Sequence, residues 1–342
     1  MHSIILSGGE GSRLWPLSTP DNPKPLLRII GDKSLIDLTI KRLKKICSAD
    51  QVYLSITQSQ IPVFLNALDF FDRNNIITEP MGRNTAPCIA LASKIIDAKD
   101  PDSVIGFFPA DHLILNDDHF VQCIQYAEQL ALESDRLVLL GIIPHKPTTG
   151  YGYHLIDKPY DSCEGMAPVF FAKKFIEKPS MEKAEELINS GKALWNSGIY
   201  VGKASSFLNA FKNHAPEIYN TITSDYNLDT LPETYKDLPN ISIDYAITEK
   251  LLQYLVVETK IERLDVGQFT AFDQIWKKDE NNNAVNGQFC GLDSNNNIVF
   301  SHNKRVAAVG VSDMIVIDTP DVLLLCPKDR VQDIKKLKEI IQ

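Results

Sequence analysis

Ile4-Ile5-Leu6-Ser7-Gly8-Gly9-Glu10-Gly11-Ser12-Arg13-Leu14-Trp15-Pro16-Leu17 lies at the start of the chain, and Pro23-Lys24-Pro25 follows closely. Three apolar residues that run straight into glycines read as a buried strand entering a loop. Glycines let backbone N–H groups approach a phosphate, and Arg13 and Lys24 supply positive charge. A dinucleotide fingerprint needs a third glycine where Leu14 stands. A Walker loop needs Gly-Lys-Ser/Thr, which is absent. A phosphate-binding loop of another kind is therefore expected after the first strand.

Moving outward, apolar strand runs alternate with helical patterns. The spacing predicts helices over 34–47, 86–98 and 120–133 and strands over 52–56, 104–108 and 137–142. Such alternation predicts an α/β fold: a Rossmann-like, mixed but mostly parallel sheet with helices on both faces. Ligands in such sheets sit beyond the carboxyl ends of strands. The polar run 277–283 reads as a linker. Beyond it come short β runs at 298–300, 306–311, 314–317 and 322–325 and a final helix over 330–341. Two domains are expected, 1–280 catalytic and 281–342 a small β domain.

The 342 residues carry 35 Lys+Arg against 44 Asp+Glu, a net charge of -9. That balance argues against nucleic acid or an anionic membrane as partner, while leaving room for a small basic pocket. No stretch approaches the about 18 apolar residues of a membrane span. The N-terminus has no basic region ahead of its apolar residues, so no signal peptide is expected. The six cysteines are scattered without a CxxC pair, which predicts reduced thiols in a cytoplasmic protein.

Gly-Gly-x-Gly-x-Arg-Leu-x-Pro-Leu with Pro23-Lys24-Pro25 resembles the signature of the nucleotidyltransferases that make nucleotide sugars. These join a nucleoside triphosphate to a sugar 1-phosphate and release pyrophosphate. The resemblance implies that Leu6, Gly8, Gly9 and Gly11 bind the nucleotide and that Arg13 and Lys24 hold the triphosphate. Glu79-Pro80-Met81-Gly82-Arg83-Asn84-Thr85-Ala86-Pro87 resembles the corresponding block of mannose-1-phosphate guanylyltransferases. It implies Glu79 and Asn84 near the base; a carboxylate suits the N1–H and 2-amino donors of guanine. Asn84 or Thr85 is also placed to cap the following helix.

Asp111, in Pro109-Ala110-Asp111-His112, follows a buried strand and suits Mg2+, a hard cation. The resemblance implies Asp265, in Leu264-Asp265-Val266-Gly267, as the second metal carboxylate. It further implies Gly152, Glu177 and Asn196 as sugar contacts and Lys178 as the partner of the sugar phosphate. Ser242 or Asp244 reads as a helix cap whose segment supports the sugar pocket. The expected reaction is GTP plus α-D-mannose 1-phosphate giving GDP-mannose and pyrophosphate. Gln268-Phe269 departs from the family's Ser-Trp beside the metal carboxylate, so another sugar 1-phosphate, such as a manno-heptose or fucose phosphate, stays open. A catalytically silent paralogue that regulates a partner subunit is a further alternative. The family's C-terminal part is a short left-handed β-helix. The isomerase domain of bifunctional relatives is not expected here, and an apolar β appendage suggests a homodimer.

Overall fold

The structure, a computed structural model, describes residues 1–8, 11–160, 166–223 and 231–341. It divides into two compact units. The first is Met1–Gly8, Ile40–Ala110 and Ile114–Glu262; the second is Gly9–Thr39, Asp111–Leu113 and Arg263–Gln342.

The first unit is built on a nine-stranded sheet. Its strand order is Ile76–Glu79, Val52–Thr57, His2–Leu6, Val104–Pro109, Ala193–Lys203, Val138–Ile142, Leu255–Thr259, Val169–Ile176 and Tyr153–Pro159. Seven strands run in one direction, and Val169–Ile176 and Ala193–Lys203 run against them. The expected mixed, mostly parallel sheet is thus present. Tyr153–Pro159 also pairs with Ala193–Lys203, so the last five strands close into a circuit.

Helices cover both faces because alternate side chains of one strand point opposite ways. Phe107 meets Phe207 of the helix Ala204–His214 edge to face at 5.0 Å, while its neighbour Phe108 meets Phe120 of the helix Asp117–Ser134 at 6.0 Å. Ile4 and Ile5 are fully buried, as expected of a strand covered twice. The helix Thr85–Lys99 starts where expected: the Asn84 side chain accepts from the Thr85 N–H at 2.9 Å. It buries Ala86, Ile89, Ala90 and Leu91 in the same core as Phe107 and Phe207.

In the second unit, short strands stack in parallel. Ala284–Asn286 lies on Ile298–Ser301, which lies on Met314–Asp318; Phe289–Leu292 lies on Val306–Val309. Leu323–Pro327 then pairs antiparallel with Met314–Asp318. The result is the expected β-helix-like domain. The strand from Val306 ends at Val309 rather than 311 because Gly310 takes a positive φ of 67°. The final α-helix is shorter than expected, Ile334–Ile341, after a 3-10 turn over Lys328–Asp333.

One sequence expectation is corrected here. Residues 277–283 are not a free linker. Asn283 is fully buried, and its amide donates to Asp279 and to the Ser294 carbonyl at 3.0 Å. The core beneath the β-helix-like strands also draws on residues from well upstream of 281. Leu14, Leu27, Leu35 and Leu113 share one core with Phe269, Trp276, Ile298 and Ile315. The Trp276 Nε1–H also donates to the Ile29 carbonyl at 2.9 Å. Apolar side chains far upstream therefore complete this core, which a boundary drawn along the sequence does not reveal.

Candidate active site

In the second unit, a two-stranded ladder sets two carboxylates at its ends. Arg263–Asp265 pairs with His112–Ile114, so Asp265 closes one strand while Asp111 immediately precedes the other. Lys24 opens a 3-10 turn between Pro23 and Pro25, residues that fix the backbone there. Its side chain is 9% exposed, with the ammonium 2.5 Å from Asp111 Oδ2 and 3.8 Å from Asp265 Oδ1. Burial works against charge on Asp111, but attraction to Lys24 and His112 and the Lys24 hydrogen bond outweigh it. The carboxyl is held below its usual range.

Gly11 makes this cluster possible. Its φ of 62° is left-handed, and a Cβ there would lie 2.6 Å from Ser18 Oγ and 2.8 Å from Lys24 Cβ. Arg13, two residues on, is exposed and has no ion-pair or hydrogen-bond partner among the described residues, leaving its guanidinium open to an anion. The structure thus brings Lys24, Asp111 and Asp265 together, with Gly11 packed against Lys24.

In the first unit, Leu6 ends its strand and its carbonyl accepts from the Ala110 N–H at 3.0 Å; Gly8 beyond it is exposed. Gly9 lies outside the described residues. Asn84 is exposed at φ 67°, ψ −175°, a region sparsely populated by residues other than glycine. Glu79 turns inward. It is 4% exposed, the Tyr235 hydroxyl donates to its Oε2 at 2.8 Å, and burial pushes its carboxyl up against hydrogen bonds from Tyr235 and Cys88.

The same unit assembles the residues expected on the sugar side. A Cβ on Gly152 would collide with Glu177 Oε2 and the Phe175 ring, so only glycine leaves room for this carboxylate. Glu177 Oε1 accepts from Lys178 Nζ at 2.7 Å; Glu177 is 9% exposed and Lys178 58%. Burial raises the Glu177 carboxyl, with Asp244 and Glu249 adding to the rise against Lys178. Lys178 adopts a positive φ of 44°. Asn196 donates its backbone N–H to the Gly152 carbonyl at 2.8 Å and its Nδ2 to Asp244 Oδ1 at 2.9 Å.

Four residues join this site that motif reading missed or placed differently. Of the two expected cap candidates, Ser242 is the N-cap residue of the helix Ile243–Ala246, while Asp244 lies within it and its Oδ1 accepts from both Asn196 Nδ2 and the Tyr200 hydroxyl, the latter at 2.6 Å. Asn196 Oδ1 accepts from the Gly198 N–H at 2.9 Å and faces His154 Nε2 at 3.3 Å. His154 must then carry its proton on Nε2, leaving Nδ1 to accept from the Tyr254 hydroxyl at 2.8 Å. His154 is fully buried, and burial drives its pKa down to about 3 despite the Asn196 bond. A histidine inside the otherwise apolar start of the strand Tyr153–Pro159 was the only sequence trace of this chain.

Comparison with known proteins gives the arrangement a family. Residues 2–282 match the Nucleotidyl transferase family model, and residues 287–340 match the MannoseP isomerase/GMP-like beta-helix domain. A mannose-1-phosphate guanylyltransferase of Salmonella muenchen is 35% identical over 354 residues, spanning 99% of this chain and 73% of that protein. The alginate biosynthesis protein AlgA of Pseudomonas aeruginosa is 36% identical over 351 residues, spanning 98% of this chain and 71% of that protein. A crystal structure of a mannose-1-phosphate geranyltransferase from Thermus thermophilus superposes with a TM-score of 0.88 at 29% identity, covering 99% of this chain and 98% of that one. The chain belongs to the nucleotidyl transferase family.

Proposed function

We propose that this protein transfers the guanylyl group of GTP to α-D-mannose 1-phosphate, giving GDP-mannose and pyrophosphate. The observation that carries the reading is the Lys24–Asp111–Asp265 cluster, in a chain that matches a mannose-1-phosphate guanylyltransferase over 99% of its own length. An oxygen of the sugar phosphate attacks the α-phosphorus of GTP, and the bond from that phosphorus to the β-phosphate oxygen breaks. The sugar phosphate is already ionised at neutral pH, so no protein base has to remove a proton. Positioning and charge stabilisation then do most of the catalysis.

In this reading Lys24 and the open guanidinium of Arg13 hold the triphosphate and receive the departing pyrophosphate. Lys178 holds the sugar phosphate, while Glu177 and Asn196 hold sugar hydroxyls against the Gly152 backbone. Leu6, Gly8 and Gly9 line the nucleotide with Gly11, Asn84 lies near the guanine, and Glu79 supports that block from inside. Asp111 and Asp265 fit Mg2+. Both carboxylates reach one cation, Lys24, and no group of three or more His, Cys, Asp or Glu among the described residues forms a closed protein cage. One or two carboxylates completed by phosphate oxygens is the usual way a protein holds Mg2+. When bound, the ion supplies charge neutralisation on the phosphates.

The protein is further read as a cytoplasmic homodimer. The five described cysteines are free, which suits a reducing compartment. Leu292, Val309, Leu323 and Leu325 expose apolar surface on the β-helix-like domain, at 59–73% exposure. The test is pyrophosphate release from GTP plus mannose 1-phosphate, with and without EDTA, over a panel of nucleotides and sugar 1-phosphates. Release that is absent, or faster with another sugar phosphate, overturns the assignment. Activity unchanged by EDTA overturns the Mg2+ role, and a monomer by light scattering overturns the dimer.

A further inference from the structure

Asp244 stands in the sugar-side cluster with its two oxygens in different situations. Oδ1 is saturated: Asn196 Nδ2 donates to it at 2.9 Å and the Tyr200 hydroxyl at 2.6 Å. Oδ2 has no donor among the described residues, and Asp244 is half-buried rather than sealed in.

The surroundings hold this carboxylate in one pose. Tyr200 is 3% exposed, and the chain Tyr254–His154–Asn196 admits one direction of hydrogen bonding. Asn196 therefore has to present its amide nitrogen to Asp244. The short helix Ile243–Ala246 is anchored as well: the Ile243 N–H donates to Thr85 Oγ1 at 2.9 Å. An oxygen fixed this way and left without a protein donor is a preorganised acceptor.

Charge points the same way. Glu177 and Asp244 are close enough to raise the Glu177 carboxyl, and the Lys178 ammonium is paired to Glu177, not Asp244. Two neighbouring carboxylates, only one of them ion-paired, favour the hydroxyl donors of a sugar ring beside Asp244 over an anionic group at that point.

We propose that Asp244 is a specificity-determining sugar ligand, whose Oδ2 accepts a hydrogen bond from a ring hydroxyl of the hexose 1-phosphate while Oδ1 is locked by Asn196 and Tyr200. Tyr200, His154 and Tyr254 are positioning residues that act through it and through Asn196. The inference rests on the sugar-phosphate reading above.

Asp244→Asn tests it with little steric change. The new amide keeps an oxygen toward Asn196 and Tyr200 and turns the free acceptor into a donor. The expected result is a KM for mannose 1-phosphate raised about 10- to 100-fold, with the KM for GTP and the thermal midpoint unchanged. Calorimetric titration of mannose 1-phosphate and its monodeoxy analogues onto wild type and variant locates the contact without requiring turnover. For one analogue, lacking the contacted hydroxyl, the two proteins should bind equally well. An unchanged KM, or the same wild-type-to-variant ratio for every analogue, overturns the proposal. Should Asp244→Asn fail to fold, Tyr200→Phe, which frees Oδ1, is expected to weaken sugar binding with the same analogue signature. Its absence there also counts against the contact. If wild type binds mannose 1-phosphate but makes no GDP-mannose, the functional reading fails while the Asp244 contact still stands.

Discussion

Lys24 and Asp111 form an ion pair of 2.5 Å although 87 residues separate them, with Lys24 almost wholly buried. Asp265 lies 3.8 Å from the same ammonium. A buried cation facing two carboxylates is costly to assemble unless each charge is matched. The cluster is therefore an electrostatic unit whose members should not be separable in their effects.

Replacing Lys24 with Met keeps the stem that packs beside Gly11 and removes the charge. Loss of a cation aimed at a developing phosphate charge should lower kcat at least about 100-fold. The two carboxylates then face each other without a counter-ion, and the Asp111 carboxyl should move up. Steady-state rates with GTP and mannose 1-phosphate check the first effect, and carboxyl titration by NMR the second. Wild-type kcat would remove Lys24 from the chemistry.

Asp111 should also mark the acid limb of stability. Its folded carboxyl lies below the usual value, so its stabilising contribution is fully present above about pH 4 and disappears as pH falls through the lowered value. Wild type and Asp111→Asn should differ most in thermal midpoint at neutral pH and converge on acidification. A gap that stays constant to the lowest pH at which both fold contradicts the pairing.

Gly152→Ala should be damaging for a steric reason alone, since the added methyl meets Glu177 Oε2 and the Phe175 ring. Either Glu177 moves or the strand shifts. Overpacking of this kind costs about 1–3 kcal/mol. Urea unfolding measures that cost. A rise in the KM for mannose 1-phosphate, with the KM for GTP unaffected, would show that Glu177 is the group displaced.

The sheet and most of its helices were legible because their apolar periodicity is local. Thr85–Lys99 and Asp117–Ser134 fall within three residues of the predicted 86–98 and 120–133. Motif reading found Lys24, Asp111 and Asp265 separately, since each follows or ends a recognisable run. What it lacked was the direction of side chains. Glu79 faces inward on its strand, and Asp244 turns from its helix end to Asn196 and Tyr200. Tyr200, His154 and Tyr254 look like ordinary core residues in sequence; only the closure of strands far apart in the chain joins them. The asparagine-rich run misled for a similar reason: polar composition signals a loop, but in stacked strands buried amides satisfy the backbone of each coil.

His154 carries a pH prediction of its own. Fully buried and driven to about pKa 3, it stays neutral in the folded protein while its unfolded counterpart protonates below about pH 6.5. Stability should therefore fall as pH drops from 6.5 toward 3, by about 1.4 kcal/mol per unit for this group. His154→Gln lacks the titration and should have a flatter profile across that window. It should also raise the KM for the sugar phosphate, because Asn196 loses the partner that orients its amide. Equal slopes for wild type and variant would mean that His154 is protonated in the fold.

The β-helix-like domain makes the sharpest stability prediction, at Asn297. This side chain is 1% exposed and serves three backbone or side-chain partners at once. Its Nδ2 donates to Asn283 Oδ1 at 2.9 Å and to the Val311 carbonyl at 2.8 Å, and its Oδ1 accepts from the Met314 N–H at 2.9 Å. One amide thus ties three successive coils. Asn297→Ala leaves the Met314 N–H without its partner, a penalty of about 1–3 kcal/mol, and strips the Val311 carbonyl of one of its two donors, the Asn295 N–H at 3.1 Å remaining. Asn297→Asp keeps the shape but sets an anion against Asn283 Oδ1 and the Val311 carbonyl, so it should be worse at neutral pH and partly relieved when the new carboxyl is protonated. Thermal unfolding of both variants at pH 7 and near pH 4 distinguishes the two. If Asn297→Asp is no worse than Asn297→Ala at pH 7, the amide donors are not what holds the coils.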